Sequence, residues 1–166
     1  MIDSPDRSSP RFAADDVPRV QDAIRESVDS VDDPHAEAFS GAASGGDLLF
    51  CQAWLDAGRR LKVYLPREVD AFLAESVGPA GQGWVDAFIE VTEHPATTVI
   101  GPEPGMDELE DPHTLNNQRM LADARKDAPM IGIFVWDGAG GDGPGGTGHM
   151  VKEVLDAGGQ VSIIDP

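Results

Sequence analysis

Apolar residues follow two spacings along this chain, and the two spacings alternate. Residues 15–29 place Val17, Val20, Ile24 and Val28 three or four positions apart, which predicts a helix with one apolar face. The same spacing predicts further helices after residue 47 and over residues 68–76, 84–92, 114–126 and 150–157. Short runs rich in β-branched or aromatic residues predict strands over residues 36–40, 61–65, 97–100, 130–136 and 161–164. Residues 101–112 are acidic and rich in Pro and Gly, so we expect them to lie outside the core.

This alternation of strands and helices predicts the fold class. Strand–helix–strand units form parallel sheets with right-handed crossovers, so we expect an α/β fold: a three-layer Rossmann-like open, mainly parallel sheet with helices on both faces. Residues 15–166 form a single predicted domain, and residues 1–14 precede it as a polar N-terminal arm. Chains of this kind usually open on a strand. Either the first strand therefore lies upstream of Met1, or this sheet forms without such a strand.

Two glycine-rich stretches follow predicted strands and precede predicted helices. The longer is residues 137–149 (DGAGGDGPGGTGH), and the shorter is residues 41–47 (GAASGGD). Backbone N–H groups at a helix N-terminus favour phosphate or carboxylate, and glycines let such a ligand approach the backbone closely. Ligands of open parallel sheets bind at the carboxyl ends of the strands. We therefore expect the two stretches to hold one nucleotide-type ligand between them.

The composition narrows the classes of function and location. A formal net charge of −18, from 30 acidic and 12 basic residues, argues against direct binding to nucleic acid, because counterion release requires clustered basic residues. The single cysteine, Cys51, excludes an intrachain disulfide and fits a reducing compartment. The N-terminus lacks the apolar core of a signal peptide, and no apolar run approaches the ~20 residues that span a bilayer. We therefore expect a cytoplasmic protein without a membrane partner.

The segment GAASGGDLLFCQAWLDAGRRLKVYLP, residues 41–66, resembles the nucleotide-binding turn of the SLOG superfamily. This superfamily of Rossmann-like domains includes the DNA-processing protein A fold and the lonely-guy phosphoribohydrolases. The shared features are a strand, a G-A-A-x-G-x-D turn, a helix, a glycine and a strand ending in Leu-Pro. Residues 144–148 (PGGTG) look like the second signature of the superfamily, a P-G-G-x-G-T turn. The resemblance implies a Rossmann-like nucleotide-binding module.

Nearly the whole chain also resembles a module found at the ends of bacterial signalling proteins, next to cyclase or tetratricopeptide-repeat regions. Such modules show a histidine-containing strand end, M-x-D-x-P-x-R with an R-F pair, the G-A-A turn, an S-V…G-W stretch and W-D-G…G-D-G-x-G-G-T. The matching positions here are Met1, Asp3, Pro5, Arg7, Arg11, Phe12, Ser76, Val77, Gly83, Trp84 and residues 136–147. The resemblance implies a role in signalling, and it supports a first strand upstream of Met1.

One departure from the SLOG pattern concerns catalysis. Lonely-guy enzymes carry a glutamate three residues after the threonine of P-G-G-x-G-T, and they use it with an arginine to hydrolyse a ribosyl bond. Depending on the alignment, that position is Lys152 or Met150 here, and Glu153 is out of register. The hydrolase chemistry therefore does not carry over by motif, which favours binding over catalysis.

The candidate ligand-binding residues come from both glycine-rich stretches and from the arm. They are Arg7, Gly41, Ala42, Gly45, Gly46, Asp47, Asp137, Gly143, Gly145, Gly146 and Thr147. Asp47 either binds a ribose hydroxyl or caps the helix that follows it, and Thr147 is expected to cap the last helix. The Arg7 guanidinium suits a phosphate or pairs with a nearby aspartate. The histidines and the cysteine show no metal-ligand spacing, so no metal site is expected.

Three hypotheses of function remain open. The first is a nucleotide or nucleotide-derivative binding module, a sensor in a signalling system. The second is an N-glycosidase or phosphoribohydrolase-like enzyme acting on a nucleotide or NAD-like ligand, with Asp47 or Asp137 as the catalytic carboxylate. The third is an acidic interaction protein or DNA mimic, with carboxylates in rows on one face. The first two predict that residues 41–47 and 137–149 converge on one cleft. No cofactor beyond that ligand is indicated, and homo-oligomerisation stays open.

Overall fold

The computed structural model describes residue 2 and residues 12–126, 129–139 and 146–166. Its helices are α1 (Val17–Asp29), α2 (Gly46–Asp56), α3 (Val69–Phe72), α4 (Gln82–Glu93), α5 (Pro112–Ala124) and α6 (Thr147–Asp156). Its strands are β1 (Glu37–Ser40), β2 (Arg60–Tyr64), β3 (Thr97–Ile100), β4 (Ile131–Val135) and β5 (Gln160–Ile164). Strands alternate with helices along the chain, which confirms the predicted α/β class.

All strand pairs in the described residues are parallel, as strand–helix–strand connections predict. β1, β2 and β3 form one sheet in that order, with Ala38 beside Leu61 and Leu61 beside Thr97. β4 and β5 form a second sheet, with Ile131 beside Gln160. Within the described part of the chain no strand pairing joins β1 to β4. The strands therefore divide between two sheets, a division that the hydrophobic pattern did not indicate.

The larger core cluster contains residues of α1, α2 and α4 and of both sheets. α1 buries the predicted stripe Val20, Ile24 and Val28. From the three-stranded sheet, Leu61 and Val63 belong to this cluster. From the two-stranded sheet, Ile164 belongs to it and Ile133 packs against it. The two sheets thus share one apolar cluster although no strand pairing among the described residues joins them.

A smaller core cluster lies on the other side of β4. It consists of Leu121 from α5 and of Met150 and Val154 from α6, with Phe134 packed against it. Successive residues of a strand point to opposite faces, so Phe134 meets this cluster while Ile133 meets the larger one. β4 therefore has apolar packing on both faces, as expected for a strand of a covered parallel sheet.

Some buried side chains come from segments that the sequence pattern did not assign to the core. Ile2 and Phe12 of the polar arm are buried in the larger cluster. Met106 is 1% exposed, so the expectation that residues 101–112 lie entirely outside the core is wrong. Met106 begins a short 3-10 turn, and its sulfur accepts hydrogen bonds from the Glu103 N–H and from Arg119. None of the described helices is long and apolar enough to cross a bilayer.

Candidate functional site

A cavity of about 1570 Å³ extends to the carboxyl ends of β1 and β4. From residues 41–47 it is lined by Gly41, Ala43, Ser44, Gly46 and Asp47. From the end of β4 and the start of α6 it is lined by Trp136, Asp137, Gly146 and Thr147. The described parts of both glycine-rich stretches therefore border one cavity. Three candidate residues, Arg7, Gly143 and Gly145, lie outside the described residues.

The first turn of α2 touches the end of β4. A Cβ atom at Gly46 would lie 2.9 Å from Cγ2 of Val135, closer than such atoms pack in proteins. The close approach places the carboxyl ends of β1 and β4 at the same end of the molecule. It also explains why position 46 carries a glycine, since a side chain there would push the two sheets apart.

The turn after β1 is held in an unusual backbone conformation. Ala42 has a φ of +53°, in the left-handed region that non-glycine residues seldom occupy, and it is fully buried. The Ser40 hydroxyl accepts a hydrogen bond from the Ala42 N–H at 3.2 Å. Gly45 follows with a φ of +100°. Residues held in such conformations cluster at ligand-binding sites, so the strain at Ala42 supports a functional turn.

Two helices begin at this cavity without a side-chain cap. The N-cap residue is Gly45 for α2 and Gly146 for α6, and neither helix has a side-chain cap hydrogen bond. Thr147 is the first residue of α6, so the cap predicted for it is not formed. The first N–H groups of a helix have no partner inside the helix, and the helix dipole makes them attractive to an anion. Both helix ends are therefore suited to bind a negatively charged group.

Asp47 lies in the first turn of α2 and does not cap it. Its Oδ2 instead accepts a hydrogen bond from the Ala43 N–H at 3.3 Å, which braces the preceding turn. The residue is reachable by solvent, yet it lines the cavity and is surrounded by protein. Desolvation therefore raises the pKa of the Asp47 carboxyl, and the hydrogen bond from Ala43 opposes that rise. Of the two roles predicted for Asp47, helix capping is not observed.

Asp137 has a local structural role at the end of β4. Its Oδ1 accepts a hydrogen bond from the Ala139 N–H at 2.9 Å, and the Trp136 indole N–H donates to the Ala139 carbonyl at 2.9 Å. The indole also lies over the first turn of α6, where a Cβ atom at Gly148 would be 3.1 Å from the ring. The carboxylate at Asp137 is exposed, and Trp136 gives the cavity an aromatic wall.

Asn116 on α5 is a cavity residue that the sequence did not single out. It is 2% exposed, and its amide group donates to the Tyr64 carbonyl at 2.8 Å. Its side-chain oxygen is buried and has no hydrogen-bond partner among the described residues. A buried acceptor without a partner is costly unless a ligand or water supplies a donor. The only signal in the sequence was an Asn pair inside a helix, which is a weak one.

Three further side chains that bear on catalysis, Cys51, Met150 and Lys152, lie in the described residues. Burial raises the pKa of the Cys51 thiol to about 12, so the thiolate is disfavoured, and Cys51 belongs to the core. Met150 is buried in the smaller cluster and Lys152 is exposed and paired with Asp156, so neither position supplies the carboxylate of the lonely-guy enzymes. Among the described residues no group of three His, Cys, Asp or Glu side chains could hold a metal ion.

The fold and the cavity together define the class of protein. It is a parallel α/β protein in which two glycine-rich turns, each leading into an uncapped helix, border one cavity at the carboxyl ends of two strands. No family model, no curated protein and no solved structure matches this chain.

Proposed function

We propose that this chain is a nucleotide or nucleotide-derivative binding module that acts as a cytoplasmic sensor in a signalling system. The observation that supports it most is the pair of uncapped helix N-termini, α2 and α6, on one cavity. An acidic interaction protein or DNA mimic would not require the two turns to meet. The signalling role rests on the resemblance of the chain to modules at the ends of bacterial signalling proteins.

The proposed ligand is anionic at one end and hydroxyl-bearing in the middle. Among the described residues that line the cavity, Arg60 is the only lysine or arginine, and it lies at the amino end of β2. Phosphate recognition by this part of the protein therefore falls to backbone N–H groups at the helix ends. Asp47 would repel a phosphate placed beside it but would accept a hydrogen bond from a ribose hydroxyl. Trp136 offers a surface for the base.

Thermal-shift measurements on a panel of nucleotides, NAD and ADP-ribose test this proposal. A ligand present at ~100 times its Kd should add ~2.7 kcal/mol to the free energy of unfolding. A hit is then titrated against Asp47→Asn and against Glu90→Gln, a matched change on an exposed face of α4 outside the cavity. We expect a ribose ligand to bind the Asp47 variant ~10-fold more weakly and the Glu90 variant unchanged. No shift with any of these compounds would contradict the proposal.

A second candidate is an N-glycosidase or phosphoribohydrolase-like enzyme. The raised pKa of the Asp47 carboxyl supports it, because carboxyl groups with shifted pKa values are concentrated at catalytic sites. In that reaction water replaces the base at C1′ of the ribose, and a carboxylate stabilises the positive charge that develops on the sugar. Chromatography of each thermal-shift hit after long incubation separates the candidates. Release of free base by the wild type but not by Asp47→Asn would identify the protein as the enzyme. A ligand that stays intact would support the sensor.

A further inference from the structure

The edges of β1 and β4 face a common space inside the protein. In the described residues each of these strands has a strand neighbour on one side only, β2 for β1 and β5 for β4. The cavity is lined by all residues of β1 and all residues of β4, whereas β2 contributes only Arg60 and β5 contributes none. The cavity therefore follows the two unpaired strand edges along their whole length.

Helices cover this space on both faces. On one side it is bordered by Ile24 of α1 and by Phe50 and Trp54 of α2. On the other side it is bordered by Met120 and Leu121 of α5. The space thus has a largely apolar wall on the α1 and α2 side and a mixed wall on the α5 side, where Asn116 and Asn117 stand beside Met120 and Leu121. Hydrogen-bonding backbone lies at its two lateral edges, as it does beside a central strand in a covered parallel sheet. Buried backbone groups need partners, and the described part of the chain provides no strand partner for these two edges.

The direction of a strand in this space follows from the surrounding geometry. The contact between Gly46 and Val135 brings the carboxyl ends of β1 and β4 together, so a strand parallel to one is parallel to the other. Ile2 lines the cavity, is buried, and donates its N–H to the Ser44 carbonyl at 2.9 Å. Residue 2 therefore sits at the carboxyl end of β1. A segment that reaches Ile2 from the amino ends of β1 and β4 would pass through the space in the parallel direction.

We propose that the space between β1 and β4 is a strand-binding slot, and that its occupant is an apolar extended segment joined to the chain immediately ahead of Met1. β1 is four residues long, so at ~3.3 Å per residue the occupant spans four to five residues. Its side chains are apolar on the face toward α1 and α2, whereas the face toward α5 meets Met120 and Leu121 together with Asn116. The inserted strand joins the two sheets into one sheet. The slot is part of the cavity that the two glycine-rich stretches border, but the inference rests on the strand edges and not on the proposed nucleotide ligand.

Two extended forms of the full chain test the slot. One carries Val-Ile-Val-Val-Leu ahead of Met1. The other carries Val-Pro-Val-Pro-Leu, which is comparably apolar but lacks the N–H donors at its two prolines and therefore cannot form a complete ladder on one edge. We expect the first extension to raise the midpoint of chemical denaturation and to slow amide exchange in β1 and β4 by ~10-fold or more. Exchange in β3, which lies at the far edge of its sheet, should stay unchanged.

Three results would overturn the proposal. Equal stabilisation by both extensions would show non-specific apolar contact, and unchanged exchange in β1 and β4 would show an empty slot. A concentration-dependent increase in sedimentation rate, with protection that appears only in the larger species, would assign the slot to a second copy of the chain. The unextended chain gives an independent test. Alternate amides of β1 should exchange quickly there, since those facing the slot have no partner in any described strand. Uniformly slow exchange would show that the slot is closed.

Discussion

The three-stranded half and the two-stranded half of this molecule are built from the same parallel strand–helix unit, but they bury very different cores. The half containing β1, β2 and β3 places large side chains such as Leu61, Val63 and Phe88 at 1% exposure or less. The cluster between α6 and its sheet has three buried members, Leu121, Met150 and Val154. In the two-stranded half, Ile131 and Ile163 remain 49% exposed.

This difference indicates how the two halves are attached to each other. Ile164 is buried in the larger cluster, and Ile133 and Val135 pack against it, so the two-stranded half depends on the other half for much of its burial. No described strand pairing reinforces that attachment. Apolar contact is tolerant of small shifts, whereas a strand ladder fixes register. We therefore expect the two-stranded half to open at lower free energy than the rest, and its border with the other half is the cavity.

The largest expected effect comes from the larger core. Phe88 is 1% exposed and its ring lies 5.8 Å from that of Phe72, so Phe88→Ala should lower the free energy of unfolding by ~3–5 kcal/mol. Chemical denaturation followed by circular dichroism measures this loss, and the whole chain should unfold in one transition. The neighbouring change Ile89→Ala, at a position that is 42% exposed, is the control and should cost much less. Equal losses would contradict the assignment of the core.

The smaller core should respond locally. Met150 is 8% exposed in a sparse cluster, so Met150→Ala should cost ~2 kcal/mol, the lower end for such changes. Hydrogen exchange should accelerate in β4, β5 and α6 and stay unchanged in β2. Leu155→Ala on the same helix, at a position 51% exposed, is the matched control. Uniform acceleration through the whole chain would show that the two halves open as one unit, which would contradict the lower opening free energy of the two-stranded half.

The sequence predicted the elements of both halves but not how the halves meet. Spacing of apolar residues located α1, because Val20, Ile24 and Val28 fall on one helical face whatever surrounds it. The separation of β1 from β4 depends on strand neighbours distant in sequence, and no local pattern specifies them. Met106 was missed for a similar reason, since a single apolar residue in an acidic loop has no periodicity.

The candidate site was predictable in part. The glycine-rich composition of residues 41–47 and 137–149, each between a strand and a helix, is a local signal, and their described parts border one cavity. The role of Asp47 was not predictable, because an aspartate at that position caps a helix or braces a turn with equal ease. Asn116 becomes a site residue only through burial against the Tyr64 carbonyl, which is a tertiary contact.

The contact that joins the two halves gives a smaller, directional effect. Gly46→Ala should lower the free energy of unfolding by ~1–2 kcal/mol. The new methyl group would overlap Val135, and the cost of that overlap exceeds the gain in helix propensity. The double variant with Val135→Ala should recover part of that loss, measured as a coupling free energy in a double-mutant cycle. Gly83→Ala, where a Cβ atom meets nothing within 4 Å, is the control and should be neutral or stabilising. Additive losses would mean that the halves do not touch at Gly46.

The smallest expected effect is the pH dependence of Asp47. Its pKa is raised above the ordinary 3.8 by desolvation, so the folded protein binds that proton more tightly than the unfolded chain. The stability from this group is complete below the ordinary value and is lost as the pH rises through the raised value. Asp47→Asn keeps an oxygen for the Ala43 N–H and removes the charge. It should therefore match the wild type near pH 3 and be more stable than it at pH 7. Thermal denaturation across this range checks the sign. If Asp47→Asn were instead less stable than the wild type at pH 7, the N-terminus of α2 would be stabilising the Asp47 carboxylate. The side chain of Asp47 would then itself occupy the anion site at that helix end.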